Sequence, residues 1–140
     1  MNRADPAPLL VGDEDGDHLR LGVDPATELG SGWLAIVAEV RAGGLAGRVV
    51  GALEPAALAA FRDAVAALAG APRGRSALVA PDGFLAVRML GDGLGHFDAR
   101  CELRDLAAIG SRLELTIGDD GRDLPRVVAA LDAVIAAAAR

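Results

Sequence analysis

Within fifteen residues, Gly91 to Asp105 (GDGLGHFDARCELRD), the chain holds its single cysteine and one of its two histidines. Three chemistries use such residues. A thiol beside an imidazole is a nucleophile when a cation or a helix N-terminus stabilises the thiolate. A glycine-rich loop cradles phosphate when it opens a helix. Histidine, cysteine and carboxylates ligate metals when they cluster. The spacing argues against all three. Phe97, Ala99, Cys101 and Leu103 alternate with Asp98, Arg100, Glu102 and Arg104, the period of a half-buried strand. Cys101 therefore falls in the apolar row, where a lone cysteine packs as a small hydrophobe. His96 and Arg100 fall in the opposite row. GDGLG leads into this strand and not into a helix, so it reads as a hairpin loop with His96 as a surface or capping residue at its end.

Metal chemistry finds no better support elsewhere. His18 is far from His96 in sequence, and the acidic runs GDEDGD (12–17) and GDDGRD (118–123) only resemble fragments of a calcium loop. Counted from Asp13, the glycine arrives fourth instead of sixth, and position twelve is Asp24 where a calcium loop needs Glu. Both runs are expected to be solvated acidic loops. No metal and no cofactor are expected, and no nucleophile–base–orienting constellation supports an enzyme.

The elements that would position these residues are legible from periodicity. Residues 1–16 carry two prolines and an acidic run, and read as a flexible arm that pairs at most with a sheet edge. Residues 17–140 read as one domain. Leu19, Leu21 and Val23 share one strand face; Leu34, Ile36, Ala38 and Val40 share another, with Trp33, Glu39 and Arg41 opposite. A third strand is expected over Leu45–Gly51. From Glu54 to Gly70, Leu58, Phe61, Val65 and Leu68 recur at helical spacing, with Pro55 suited to the first turn and Gly70 to the position just past the end. Strands are expected again over Ser76–Ala80, Phe84–Leu90, Phe97–Arg104 and Arg112–Ile117, with Pro81-Asp82-Gly83 as a hairpin turn. A closing helix starts near Asp123, a natural N-cap, and buries Leu124, Val127, Val128, Leu131, Val134 and Ile135. The order βββα-ββββα, with strands in hairpin succession, implies an α+β fold: a mostly antiparallel sheet of about seven strands with two helices on one face. The two halves share an element order but no residue identity that would mark a duplication.

Composition narrows the function classes. The net charge is −6 and the pI about 4.8, every basic residue is Arg, and the aromatics are three Phe, one Trp and no Tyr. That balance counts against direct nucleic-acid binding, which needs a basic footprint and stacking platforms. A single cysteine makes no internal disulfide. The N-terminus lacks the apolar core of a secretory signal, and the apolar tail VVAALDAVIAAAA is interrupted by Asp132. A cytoplasmic location is therefore expected, with no membrane partner. Among surface positions, Trp33 is the one large aromatic on a polar row, and Asp98, Arg100, Glu102 and Arg104 alternate in sign. Charges of mixed sign on neighbouring strands are expected to pair across the sheet or to face a partner. Together with Asp119 and Asp120 of the second acidic run, these are the candidate partner-binding residues. The Ala-rich outer sides of both helices allow a homodimer.

The stretches AGGLAGRVVGALEP, SALVAPDGFLAVRML, DGLGHFDARCELRD and RLELTIGDDGRDLPRVVAALDAV, in that order, resemble the WapI-type bacterial immunity proteins. The resemblance spans residues 17 to 138. Its most recognisable parts are the Asp-Gly-x-Gly-His turn at Asp92–His96 and the Leu-Pro helix start at Leu124–Pro125. Just before that Leu-Pro, relatives tend to carry polar or aromatic residues, where this chain has Gly121, Arg122 and Asp123. The resemblance implies a non-catalytic role: binding and neutralising a cognate protein toxin, of nuclease type. An acidic surface suits that role, because it fits a basic cleft and speeds encounter. The alternative is a small-molecule or peptide-binding module that uses the uncovered face of the sheet.

Overall fold

The computed structural model describes residues 8–24, 32–71, 73–105 and 110–138. Four strands and a helix come first: β1 (Leu9–Gly12), β2 (His18–Val23), β3 (Leu34–Ala42), β4 (Leu45–Leu53) and α1 (Pro55–Gly70). The same order repeats in β5 (Arg75–Val79), β6 (Leu85–Gly91), β7 (His96–Arg104), β8 (Arg112–Asp120) and α2 (Leu124–Ala138), with a single 3-10 turn at Gly121–Asp123 before α2. The fold is α+β and the strands are antiparallel, but they form two four-stranded meanders, β1-β2-β3-β4 and β5-β6-β7-β8, and not one sheet of seven.

The physical reason for two sheets lies in which rows are apolar. Leu19, Leu21, Ile36, Ala38 and Val40 are buried on the inner face of the first sheet; Val87, Met89, Ala99, Cys101 and Ile117 are buried on that of the second. Each sheet is amphipathic by alternation, and both inner faces close over one shared core together with the two helices. The sheets touch where β3 and β4 meet β8 and β7, and where β1 meets β8. Two glycines of β4 allow that approach. A Cβ on Gly47 would stand 2.8 Å from Leu113 Cδ2, and one on Gly51 only 2.3 Å from the Phe84 ring.

The eighth strand comes from the expected arm. Leu9 and Val11 are buried, and residues 9–12 pair with 18–21 as an edge strand. Four residues between a proline and an acidic run are too few for a periodicity to be seen. The α1 stripe Leu58, Phe61, Val65 and Leu68 is buried as its spacing implies. Gly70 is the last helical residue, and Ala71 takes the C-cap. In α2 the buried stripe is Leu124, Val127, Leu131 and Val134, with Val128 and Ile135 half-buried. Asp123 immediately precedes α2 as the last residue of the 3-10 turn. The carboxylate of Asp120 accepts from the Arg122 N–H at 2.9 Å and caps that turn. The helices pack on each other and are tied at their surface by Arg62 Nε donating to Asp132 Oδ1 at 2.8 Å.

Candidate functional site: an acidic basin and an apolar cleft at the β8–α2 junction

Alternation along β8 sorts its last two residues. Leu115 and Ile117 point inward and are buried, Thr116 and Gly118 point outward, so Asp119 continues the inner row and Asp120 the outer one. Asp119 ends at the seam between the sheets, where its Oδ2 accepts from the Gly12 N–H of β1 at 2.9 Å. The chain beyond Gly12 doubles back at once: Asp13 N–H donates to the Asp17 carbonyl at 2.9 Å, and Gly16 N–H to the Asp13 carbonyl at 2.9 Å. The two acidic runs, separated by about a hundred residues, thereby meet. They line an open basin of about 610 Å³ with six carboxylates, Asp13, Glu14, Asp15, Asp17, Asp119 and Asp123, and one cation, Arg126. Arg126 stands 3.6 Å from Asp123.

The enclosure of the seam shows in Asp119. Partial burial, and a side-chain hydrogen bond shared with Asp123, hold its proton more tightly than usual and raise its pKa, against the opposing effect of the Asp120 and Gly12 N–H donors. A carboxyl whose pKa is raised by folding stabilises the fold below its unfolded pKa of about 3.9, and that contribution is lost as pH rises through the folded value. At neutral pH the two carboxylates repel. Asp119→Asn keeps an acceptor for Gly12 and removes one charge. It should raise Tm at pH 7 by about 1–3 °C and flatten the pH dependence of Tm between pH 4 and 7. Thermal melts across that range check both outcomes; a lower Tm at pH 7 would mean that the charge itself is needed at the seam.

On the outer side, Asp120 clamps Arg122 through Nε at 2.9 Å and Nη2 at 2.7 Å, which lowers the Asp120 pKa. Gly121 between them donates to the Gly95 carbonyl at 2.7 Å, and a Cβ there would stand 2.8 Å from that oxygen. The start of α2 is thus stitched to the Asp92–His96 turn. In that turn Asp92 Oδ1 accepts from Leu94 N–H at 2.7 Å and His96 N–H at 3.1 Å, donors that hold its carboxyl below the usual range. Gly93 and Gly95 have φ of +83° and +97°, left-handed values that favour glycine. Between this turn, the end of α1 and the start of α2 lies an apolar cleft of about 250 Å³. Leu68, Phe97 and Leu124 line it, and His96 and Arg122 stand at its rim. Leu94 at the tip of the turn is 82% exposed.

Cys101 is 2% exposed in the inner row, and burial pushes its thiol up to about 12. His96 lies on the outer row, its imidazole 70% exposed and 3.7 Å from Asp92. Strand alternation thus separates the thiol from the imidazole. Trp33 sits half-buried just before β3, outside the strand row assigned to it. Asp98, Arg100, Glu102 and Arg104 share the outer face of β7 as their alternation implies, and Arg112 of β8 pairs diagonally across the strands with Glu102 at 3.7 Å as mixed signs lead one to expect, but the directly opposed residues do not. Arg100 faces Arg88 and Thr116, Glu102 faces Glu114, and Arg104 faces Arg112, because the register aligns charges of like sign. Of the seven candidate partner-binding residues, Asp119 alone lines the basin and Asp120 alone lines the cleft. The basin's remaining acids come from residues 13–17 and Asp123, brought together by the β1 pairing that periodicity could not reveal.

Among the described residues, no group of three or more His, Cys, Asp or Glu is placed to hold a metal ion, and no helix is long and apolar enough to cross a membrane. No protein-family model matches the chain, and no curated protein does. A chain from the crystal structures of Trypanosoma bruciei MRP1/MRP2 superposes with a TM-score of 0.52, covering 99% of this chain and 90% of that one at 14% sequence identity. The likeness is one of fold alone.

Proposed function

We propose that this chain is a non-catalytic, cytoplasmic binding protein that neutralises a cognate nuclease-type toxin by protein–protein contact, and that the basin at the sheet seam is its contact surface. The observation that carries this reading is the convergence of six carboxylates against one arginine in an open concavity. A protein that acts on nucleic acid presents a basic cleft. An acidic surface complements the charge of the residues that rim such a cleft and draws them in over a Debye length of about 8–10 Å. The net charge of −6 and the resemblance to WapI-type immunity proteins support the same reading. The test is to co-express the chain with a nuclease-type toxin domain drawn from any gene that adjoins its own. Co-purification with suppressed nuclease activity is expected; free nuclease activity in the mixture would end the immunity reading.

One observation favours a second reading, a small-molecule or peptide-binding module: the apolar cleft beside the Asp92–His96 turn, with two titratable side chains at its rim. A screen of small apolar acids by ligand-observed NMR separates the two readings. Saturable binding abolished by Ala69→Trp, which adds bulk at a position lining the cleft, would support it. Absence of any binder leaves the basin reading in place.

A further inference from the structure

The outer face of the second sheet carries a charge pattern that the chain does not answer internally. Arg88 and Arg100, Glu102 and Glu114, and Arg104 and Arg112 are cross-strand partners, three adjacent rows of like sign. Like charges directly opposite destabilise an antiparallel pair. Relief within the chain is slight: Arg112 stands 3.7 Å from Glu102 and 3.6 Å from Glu114. Asp98, Arg88 and Arg100 have no ion pair or hydrogen-bonded side-chain partner among the described residues, and Arg104 Nε is buried without an acceptor. Asp98, Arg100, Glu114 and Thr116 are exposed, as is Val79 at 50% on the same face.

We propose that this face is an isologous contact between two copies of the chain. Along β7 the outward charges run negative, positive, negative, positive at Asp98, Arg100, Glu102 and Arg104. That order is antisymmetric about its midpoint. A two-fold axis lying in the interface and crossing β7 between residues 100 and 102 sets every one of these charges opposite its complement. Arg100 then meets Glu102 of the partner subunit, and Asp98 meets Arg104 of the partner subunit. The same operation keeps each strand over its own copy, so the complementary contacts are those of β7, while Arg88 falls over Ala86 of the partner subunit and Thr116 over Glu114 of the partner subunit. Same-face residues on a strand lie about 7 Å apart and stacked sheets about 10 Å apart, distances that extended Arg and Glu side chains span. The register is specific. An axis displaced to Arg100 would stack Arg100 on its own copy and Asp98 on Glu102, like on like. Self-complementarity of this kind is what a two-fold interface requires. The contact uses none of the basin residues and stands apart from the toxin reading. Because exposed ion pairs are individually weak and screened by salt, the dimer is weak and salt-sensitive.

Sedimentation velocity of the full chain over a concentration series, at low and at high salt, tests this. The wild type should dimerise reversibly at low salt and dissociate as salt is added. Arg100→Glu and Glu102→Arg each place like charges at both symmetric contacts and should raise the dimer dissociation constant about tenfold or more. Arg100→Glu also relieves the Arg88–Arg100 pair within the chain, so its Tm should not fall and its loss of the dimer cannot be ascribed to unfolding; Glu102→Arg gives up the contact with Arg112, so its Tm is measured alongside. The double swap R100E/E102R should restore association. The swap Asp98→Arg with Arg104→Asp carries the same expectation should the first fail to fold. A wild type that stays monomeric at low salt, single reversals that dimerise normally, or folded swaps that remain monomeric would each overturn the proposal.

Discussion

Gly51→Ala should destabilise the fold by about 2–3 kcal/mol, lowering Tm by roughly 6–15 °C. The reason is contact between sheets and not backbone conformation. The new methyl would arrive 2.3 Å from the ring of Phe84, which is 0% exposed and walled in on every side, so either β4 or the ring must shift. Gly47→Ala on the same strand should cost less, because its methyl meets the far end of the half-buried, flexible Leu113 side chain and not a buried ring. In a Phe84→Leu background the added cost of Gly51→Ala should shrink by at least about 1 kcal/mol, the coupling expected of residues in contact. Urea unfolding of the four chains measures it. Additive effects, or a neutral Gly51→Ala, would show that β4 does not close on the second sheet in this way.

The second large effect concerns the thiol. With its pKa pushed up to about 12 by burial, Cys101 holds far less thiolate at pH 8 than an unfolded cysteine does. Its labelling by a disulfide reagent should therefore be about a thousandfold slower in the native chain than in urea. A raised folded pKa also fixes the sign of the pH dependence. The stabilisation it reflects is complete below the unfolded thiol pKa of about 8.5, and is lost as pH rises towards the folded value. Stability should fall with alkali, and Cys101→Ala should remove that component of the fall. Rapid labelling of the native chain at pH 8 would place a reactive thiol at the surface and reopen the nucleophile reading of the Gly91–Asp105 segment.

How far these properties are legible in the sequence depends on their range. The period of two places Cys101 beside Phe97 and Ala99, and the period of about 3.6 places Leu58, Phe61, Val65 and Leu68 in one stripe; both are local signals, and both are buried as they imply. The turn at Asp92–His96 is likewise local, because its glycines and its Asx-type carboxylate act within five residues. What depends on pairing between distant segments is hidden. Leu9–Gly12 becomes a strand only because β2 is there to receive it, and Asp119 belongs to a basin only because Gly12 reaches it. The division into two sheets follows from which apolar faces meet, and alternation says only that each strand has such a face. The like-sign rows of β6, β7 and β8 are hidden for the same reason: charge order along a strand is visible, while register across strands is not.

The claim on which the functional account turns is that the basin's carboxylates carry the binding energy for a basic partner. Calorimetric titration of the chain with a nuclease toxin domain that it suppresses on co-expression, at low and physiological salt, tests this most directly when the triple variant Asp13→Asn, Asp15→Asn, Asp123→Asn is run alongside. Three ion pairs at roughly 1 kcal/mol each predict about a hundredfold loss of affinity in the variant and a shallower salt dependence. Equal affinity of the two chains, unchanged by salt, would contradict it.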